Sequence, residues 1–171
     1  YLSLLSAKGA METALELNSL SKSHNMAGWR IGMVAGNSEY IKTILKVKSN
    51  MDSGMFLPMQ LAAAEALQNP ESWYDTVNLT YRERRRTAES IMKLLDCRFN
   101  PDQTGLFLWG RIPENILSCE AFVETILQEA YVFLTPGFIF GSRGERYVRI
   151  SLCATEKRLE EARQRIEKLK L

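Results

Sequence analysis

The sequence predicts an α/β fold, on three observations. Short apolar runs of strand length alternate with longer segments whose apolar residues recur at helical spacing. Helix-start signals stand where those longer segments begin, at Asn37-Ser38, Asn69-Pro70-Glu71 and Thr155. The 171 residues, 46% apolar and 25% charged, have a globular composition and a length sufficient for one ordinary domain or parts of two.

Residues 1–10 are small, apolar and turn-like, without a clear period. Thr13 to Leu17 alternates and predicts a short strand. Arg30 to Ala35 is a second apolar run, closed by Gly36-Asn37-Ser38. Two strands around a Gly-containing loop form a hairpin-like setting that points Lys22 into a cleft. Asn37 or Ser38 caps a helix over Glu39 to Lys48, with Ile41, Ile44, Leu45 and Lys48 on one face. Asn50 to Gly54 interrupts it. Pro58 opens the next helix, where Leu61, Ala62, Ala64, Ala66 and Leu67 predict a heavily buried element. Asn69-Pro70-Glu71 combines a cap, a proline at the first helical position and an acid in the first turn. The helix after it runs through Trp73, Val77, Tyr81, Ala88, Ile91 and Leu95 without internal Gly or Pro, a natural spine between two domains. The expected division is 1–90 and 91–171. Beyond Asn100-Pro101-Asp102, Leu106 to Gly110 reads as a strand and Cys119 to Ala130 as an amphipathic helix through Phe122, Ile126 and Leu127. Val132 to Leu134 and Tyr147 to Leu152 read as further strands. Thr155 caps a last helix, with Leu159, Ala162, Ile166 and Leu169 at helical spacing.

Several function classes are excluded at this stage. A net charge of +2 makes no case for nucleic-acid binding, and the Arg84-Arg85-Arg86 run, diluted by Glu83 and Glu89, reads as a solvated helix face. No apolar run nears the roughly 20 residues that span a bilayer. The start lacks the basic and apolar regions of a secretory signal. Cys97, Cys119 and Cys153 are widely spaced and match no metal-ligand pattern, which is expected of reduced thiols in a cytoplasmic protein without a metal site.

The chemistry concentrates between Ser19 and Gly32. Lys22 offers an amine, nucleophilic when deprotonated. Ser19 and Ser21 precede it and Arg30 follows, so hydroxyl donors and a planar guanidinium fork suit a phosphate dianion. An amine for a carbonyl beside a phosphate cradle points to a cofactor bearing both an aldehyde and a phosphate, with pyridoxal 5'-phosphate the obvious candidate. Gly28 and Gly32 read as backbone requirements for tight turning or close approach. His24, two residues from the lysine, is not assigned a catalytic role. Farther on, Arg149 stands in a strand pattern between Val148 and Ile150, where a charge faces either solvent or a site.

Ser19, Leu20, Ser21, Lys22, Asn25, Met26, Gly28, Arg30, Ile31 and Gly32 together resemble the lysine signature of class I/II pyridoxal-phosphate aminotransferases of fold type I. Thr135-Pro136-Gly137-Phe138-Ile139-Phe140-Gly141, followed by Tyr147-Val148-Arg149-Ile150-Ser151, is similar to the same family's small-domain segment. The two features lie in the family's order. The resemblance implies that this α/β chain is the C-terminal portion of a fold type I enzyme, the end of the large domain plus the small C-terminal domain. It implies a Schiff base between Lys22 and pyridoxal 5'-phosphate, with Lys22 also moving the proton from substrate Cα. Ser19, Ser21 and Arg30 are then phosphate ligands, and Arg149 grips the substrate α-carboxylate; Arg143 and Arg146 are nearby competitors for that role. Phe138 or Phe140 lines the substrate cleft or packs in the core.

The implied reaction moves an amino group between an amino acid and a 2-oxo acid, in a parent that is a homodimer. The family's acid for the pyridine nitrogen, its ring-stacking aromatic and its Gly-rich phosphate turn all lie upstream of position 1. The chain alone is therefore expected to hold half a site and to be inactive. Carbon–sulfur lyase chemistry, and a non-catalytic sensor module of the same fold, are the competing readings.

Overall fold

A computed structural model describes residues 3–169. The chain folds as two units, one ending at Pro70 and the other starting at Glu71.

The first unit begins with a 3-10 turn at Leu4–Ser6, where Ser3 Oγ accepts the Leu5 N–H at 3.1 Å, and a short helix α1 (Ala10–Thr13). The aperiodic start expected for residues 1–10 is thus partly helical; Tyr1 and Leu2 lie outside the described residues. Strand β1 (Leu15–Ser19) starts after Thr13, which closes α1, and leads into a single helical turn, α2 (Leu20–Ser23). A 3-10 turn at Ala27–Trp29 precedes β2 (Gly32–Gly36), which pairs antiparallel with β1 from Leu15↔Gly36 to Ser19↔Gly32. Helix α3 (Ser38–Lys48) takes Asn37 as its cap: Oδ1 accepts the Glu39 N–H at 2.8 Å.

Helix α4 (Leu57–Ala66) has Pro58 in its first turn, but only Ala63 of it is buried. The heavy burial expected there is corrected: Leu61 is 62% and Leu67 45% exposed. The helix is apolar around most of its circumference, and its unit offers one packing surface. That surface is a small core of Leu20, Met26, Ile31 and Ala63, flanked by Met59, Ala62 and Ala66.

The second unit opens with α5 (Glu71–Leu94), which starts just after the Asn69-Pro70 signal. The boundary expected near residue 90 falls inside this helix. Ala88, Ile91 and Met92 belong to the second unit's core, so the unit begins at the helix start. Strand β3 (Phe107–Arg111) follows, then α6 (Cys119–Ala130), capped by Ser118 Oγ and ended by Tyr131 at φ 55°. Strand β4 is only Thr135–Pro136, not Val132 to Leu134 as expected. Its ladder is limited to Thr135↔Arg149 and Pro136↔Val148, and a proline has no N–H with which to extend it. Strand β5 (Tyr147–Ser151) lies between β3 and β4 in an antiparallel sheet. Helix α7 (Glu156–Ile166), capped by Thr155 Oγ1, packs against α5.

The sheet's two faces differ. Leu108, Gly110, Val148 and Ile150 turn into the core with α5, α6 and α7. Gly110 is required by packing: a Cβ there would sit 2.5 Å from Met92 Sδ. The alternate positions Phe107, Trp109, Tyr147 and Arg149 fall on the other face. The Arg84-Arg85-Arg86 run is also corrected. Arg84, with its side chain 17% exposed, pairs with Glu156 at 2.7 Å and donates to Leu152 O at 3.3 Å, while Arg85 Nη2 donates to Gly105 O at 3.0 Å. Two of the three arginines therefore tie α5 to distant parts of the unit; Arg86 pairs with Glu83 on the helix surface.

Candidate active site

The segment from Ser19 to Gly32 folds as a loop closed at its base. Ser19 and Gly32 are strand partners, and the Leu20 N–H donates to Ile31 O at 3.2 Å. A Cβ on Gly32 would lie 2.7 Å from Asn18 O, so close backbone approach explains that glycine. Gly28 does not meet the same expectation: nothing lies within 4 Å of its Cβ position and its φ is not positive. Leu20, Met26 and Ile31 anchor the loop from below by packing with Ala63.

The polar residues of the loop stay accessible. Ser19 ends β1 and caps α2, its Oγ accepting the Ser21 N–H at 3.2 Å, which leaves the Ser19 hydroxyl hydrogen able to donate outward. Ser21 and Lys22 ride on α2, with Lys22 exposed. Arg30 sits in the left-handed region at φ 52°, held by one hydrogen bond from Nη1 to Ala27 O at 3.1 Å. Asn25 is also left-handed, at φ 55°. These two backbone reversals bring the chain from α2 back to β2. Ser23, not singled out in the sequence, donates to Ser19 O at 3.1 Å and its Oγ lies 2.8 Å from His24 Nδ1, a contact that needs adjacency rather than pattern. The donor set fits the inferred cofactor: one amine, two hydroxyls and one lightly committed guanidinium lie in a single loop. Among the described residues no group of three His, Cys, Asp or Glu side chains could hold a metal ion, and no helix is long and apolar enough to cross a membrane.

Arg149 belongs to the other unit, on β5 between Trp109 of β3 and Thr135 of β4. Its guanidinium carbon lies 4.1 Å from the Phe107 ring centroid and 4.2 Å from that of Phe140. Its Nε is buried without a hydrogen-bond partner, and no carboxylate among the described residues pairs with it. The neighbouring Arg146 is committed elsewhere: it donates to Ile116 O and, at 2.7 Å, to Pro113 O. Arg143 lies exposed on a 3-10 turn. Phe138 and Phe140 are both exposed rather than core residues. The sequence offered no sign of Phe107, which reaches Arg149 only through the strand register.

Known proteins resemble this chain along nearly its whole length. A family model described as aminotransferase class I and II matches residues 3–166. An LL-diaminopimelate aminotransferase of Oleidesulfovibrio alaskensis is 43% identical over 168 residues, covering 98% of this chain and 43% of the relative. A protein of the same name from Aquifex aeolicus is 41% identical, covering 99% of this chain and 43% of the relative. Among solved structures, apo BacF from Bacillus subtilis superposes with a TM-score of 0.85 at 34% identity, over 99% of this chain and 43% of that one. The chain thus spans less than half the length of the proteins it resembles.

Proposed function

The chain belongs to the class I and II aminotransferase family, and on that premise we propose that it is the C-terminal part of a pyridoxal 5'-phosphate-dependent enzyme exchanging an amino group between an amino acid and a 2-oxo acid. One observation carries the proposal: a loop closed at Ser19↔Gly32 gathers an exposed amine, two hydroxyls and a guanidinium. In this reading Ser19, Ser21 and Arg30 bind the cofactor phosphate. Lys22 would hold the cofactor through its amine, and that amine would also carry the proton taken from substrate Cα. The cofactor, when bound, supplies the electron sink that makes that proton removable. Arg149 takes the substrate α-carboxylate through a two-pronged, charge-assisted contact that fixes the Cα–H direction. The unit ending at Pro70 then belongs to the cofactor domain, and the unit from Glu71 carries the small domain. The proposed parent is a cytoplasmic homodimer, and the chain without its companion residues is inactive.

The test uses the full-length protein with added pyridoxal 5'-phosphate. Amino donors, LL-diaminopimelate among them, are paired with a panel of 2-oxo acids, and formation of the second oxo acid is followed. Turnover that requires an acceptor and shows ping-pong kinetics supports the proposal. Acceptor-independent release of pyruvate from cystathionine would replace it with lyase chemistry, and turnover by the 171-residue chain alone would refute its inactivity.

A further inference from the structure

Arg84 and Arg146 on one hand and Arg149 on the other are held in two different ways. Arg84 and Arg146 are held by acceptors: carbonyl oxygens take N–H groups from both, the Glu156 carboxylate accepts from Arg84, and Glu114 adds an ion pair to Arg146 at 3.7 Å. An arginine fixed like that has little donor capacity left for a ligand. Among the described residues, none makes such a bond to Arg149. Its neighbours are two π faces, from Phe107 on β3 and from Phe140 after β4, the strands that flank β5 on either side. A ring face attracts the cation through its quadrupole and leaves the in-plane N–H donors unused.

Phe140 is itself held. Trp109 meets Phe140 edge-on, with centroids 5.3 Å apart and planes at 71°, and Tyr147 at 6.4 Å and 72°. Gln103 locks Trp109 at both backbone groups: its Oε1 accepts the Trp109 N–H and its Nε2 donates to Trp109 O, each at 2.8 Å. The loop carrying Phe140 is closed by direct backbone approach of Gly137 and Gly144, where a Cβ on either would strike the other's carbonyl oxygen.

We propose that Phe107 and Phe140 are positioning residues that hold the Arg149 guanidinium by its π contacts, so that its terminal Nη N–H donors stay available to a substrate carboxylate. This rests on the reading of Arg149 as the carboxylate-binding group. Neither ring touches the reacting atoms; each acts through Arg149.

The test follows the Arg149 Nε–Hε resonance in arginine-labelled protein during titration with pyruvate, against a chloride control. In the wild type the resonance carries a ring-current shift and moves on saturation with pyruvate. Phe107→Leu and Phe140→Leu each lose that ring's share of the ring-current shift and weaken pyruvate binding by roughly threefold to fivefold. Phe140→Tyr, which keeps a π face, returns both to wild-type behaviour. Phe140 is 50% exposed, so its truncation spares the core, and the amide spectrum checks the fold of each variant. Wild-type affinity in both folded Leu variants overturns the positioning role while leaving Arg149 as the carboxylate group. Unchanged pyruvate binding in Arg149→Ala, followed on the pyruvate-responsive backbone amide resonances, overturns the Arg149 reading, and the positioning role with it.

Discussion

Gly137→Ala tests how tightly the loop that carries Phe140 is built. Gly137 is buried at the end of β4, and an added Cβ would lie 2.7 Å from Tyr147 O, 3.0 Å from Tyr147 Cβ and closer still to Gly144 O. Two of those three are backbone atoms, on separate segments, and one begins β5; neither can rotate away as a side chain end could. Overpacking of this kind costs about 1–3 kcal/mol. Loss of glycine's freedom in the unfolded chain offsets about 0.4–1 kcal/mol of that. Because the backbone cannot yield, the cost falls at about 2–3 kcal/mol, and the net of about 1–2.6 kcal/mol lowers the melting temperature of a unit of this size by roughly 5–20 °C. Differential scanning calorimetry, read on the transition of the unit from Glu71, measures it. Gly28→Ala is the matched control: with nothing within 4 Å and an ordinary φ, it shifts stability by no more than about 0.5 kcal/mol. A Gly137→Ala melt coincident with the wild type would refute the packing of this loop, and with it the support beneath Phe140.

Other consequences can be read from single side chains. Burial pushes the Cys97 thiol up to about 12 and also raises Cys119, whereas Cys153 is exposed, so native alkylation followed by mass spectrometry finds Cys153 modified and the other two protected; equal labelling of Cys97 contradicts the core packing. The Arg84 hydrogen bond holds the Glu156 carboxyl below its ordinary 4.5. A depressed folded-state value means the stabilisation is present above the unfolded value and is lost as pH falls through the folded one. Arg84→Met is therefore less stable than wild type near neutrality, and the two urea-unfolding curves converge as acid protonates Glu156; a gap that persists unchanged into acid would show that the pair contributes through packing alone. Arg30→Lys removes a planar fork from the proposed phosphate site and weakens pyridoxal 5'-phosphate binding by about tenfold or more, read by equilibrium dialysis; unchanged affinity removes Arg30 from the cradle.

How much was legible depended on what fixes each element. Helix α6 is amphipathic along its whole length, with Phe122 and Ile126 on the inner face, so its period alone marks Cys119 to Ala130. Asn37 and Thr155 cap their helices as the sequence signals because a cap is a local contact. Helix α2 has four residues, too few to show a period, and owes its turn to the Ser19 cap and to Leu20 packing on α4. The exposed face of α4 and the short β4 were read wrongly, since both depend on what lies opposite: a single packing surface in one case, a proline at the pairing limit in the other. That Ser19, Ser21, Lys22 and Arg30 share one loop was legible because they are close in sequence. The setting of Arg149 was legible only on one side. Phe140 lies near it in sequence, while Phe107 is brought in by the β3–β5 register, which a sequence without aligned relatives does not display.

The central claim is that Lys22 is the cofactor-bearing lysine, and borohydride trapping tests it most directly. The full-length protein is incubated with less than one equivalent of pyridoxal 5'-phosphate, reduced, digested and mapped by mass spectrometry. A single pyridoxyl-phosphate label is expected on the peptide containing Lys22, abolished in Lys22→Ala and unaffected by Lys42→Ala, a substitution at a surface lysine paired with Glu39. Label distributed over exposed lysines such as Lys8, Lys42 and Lys46, with Lys22 no more reactive than the rest, would contradict it.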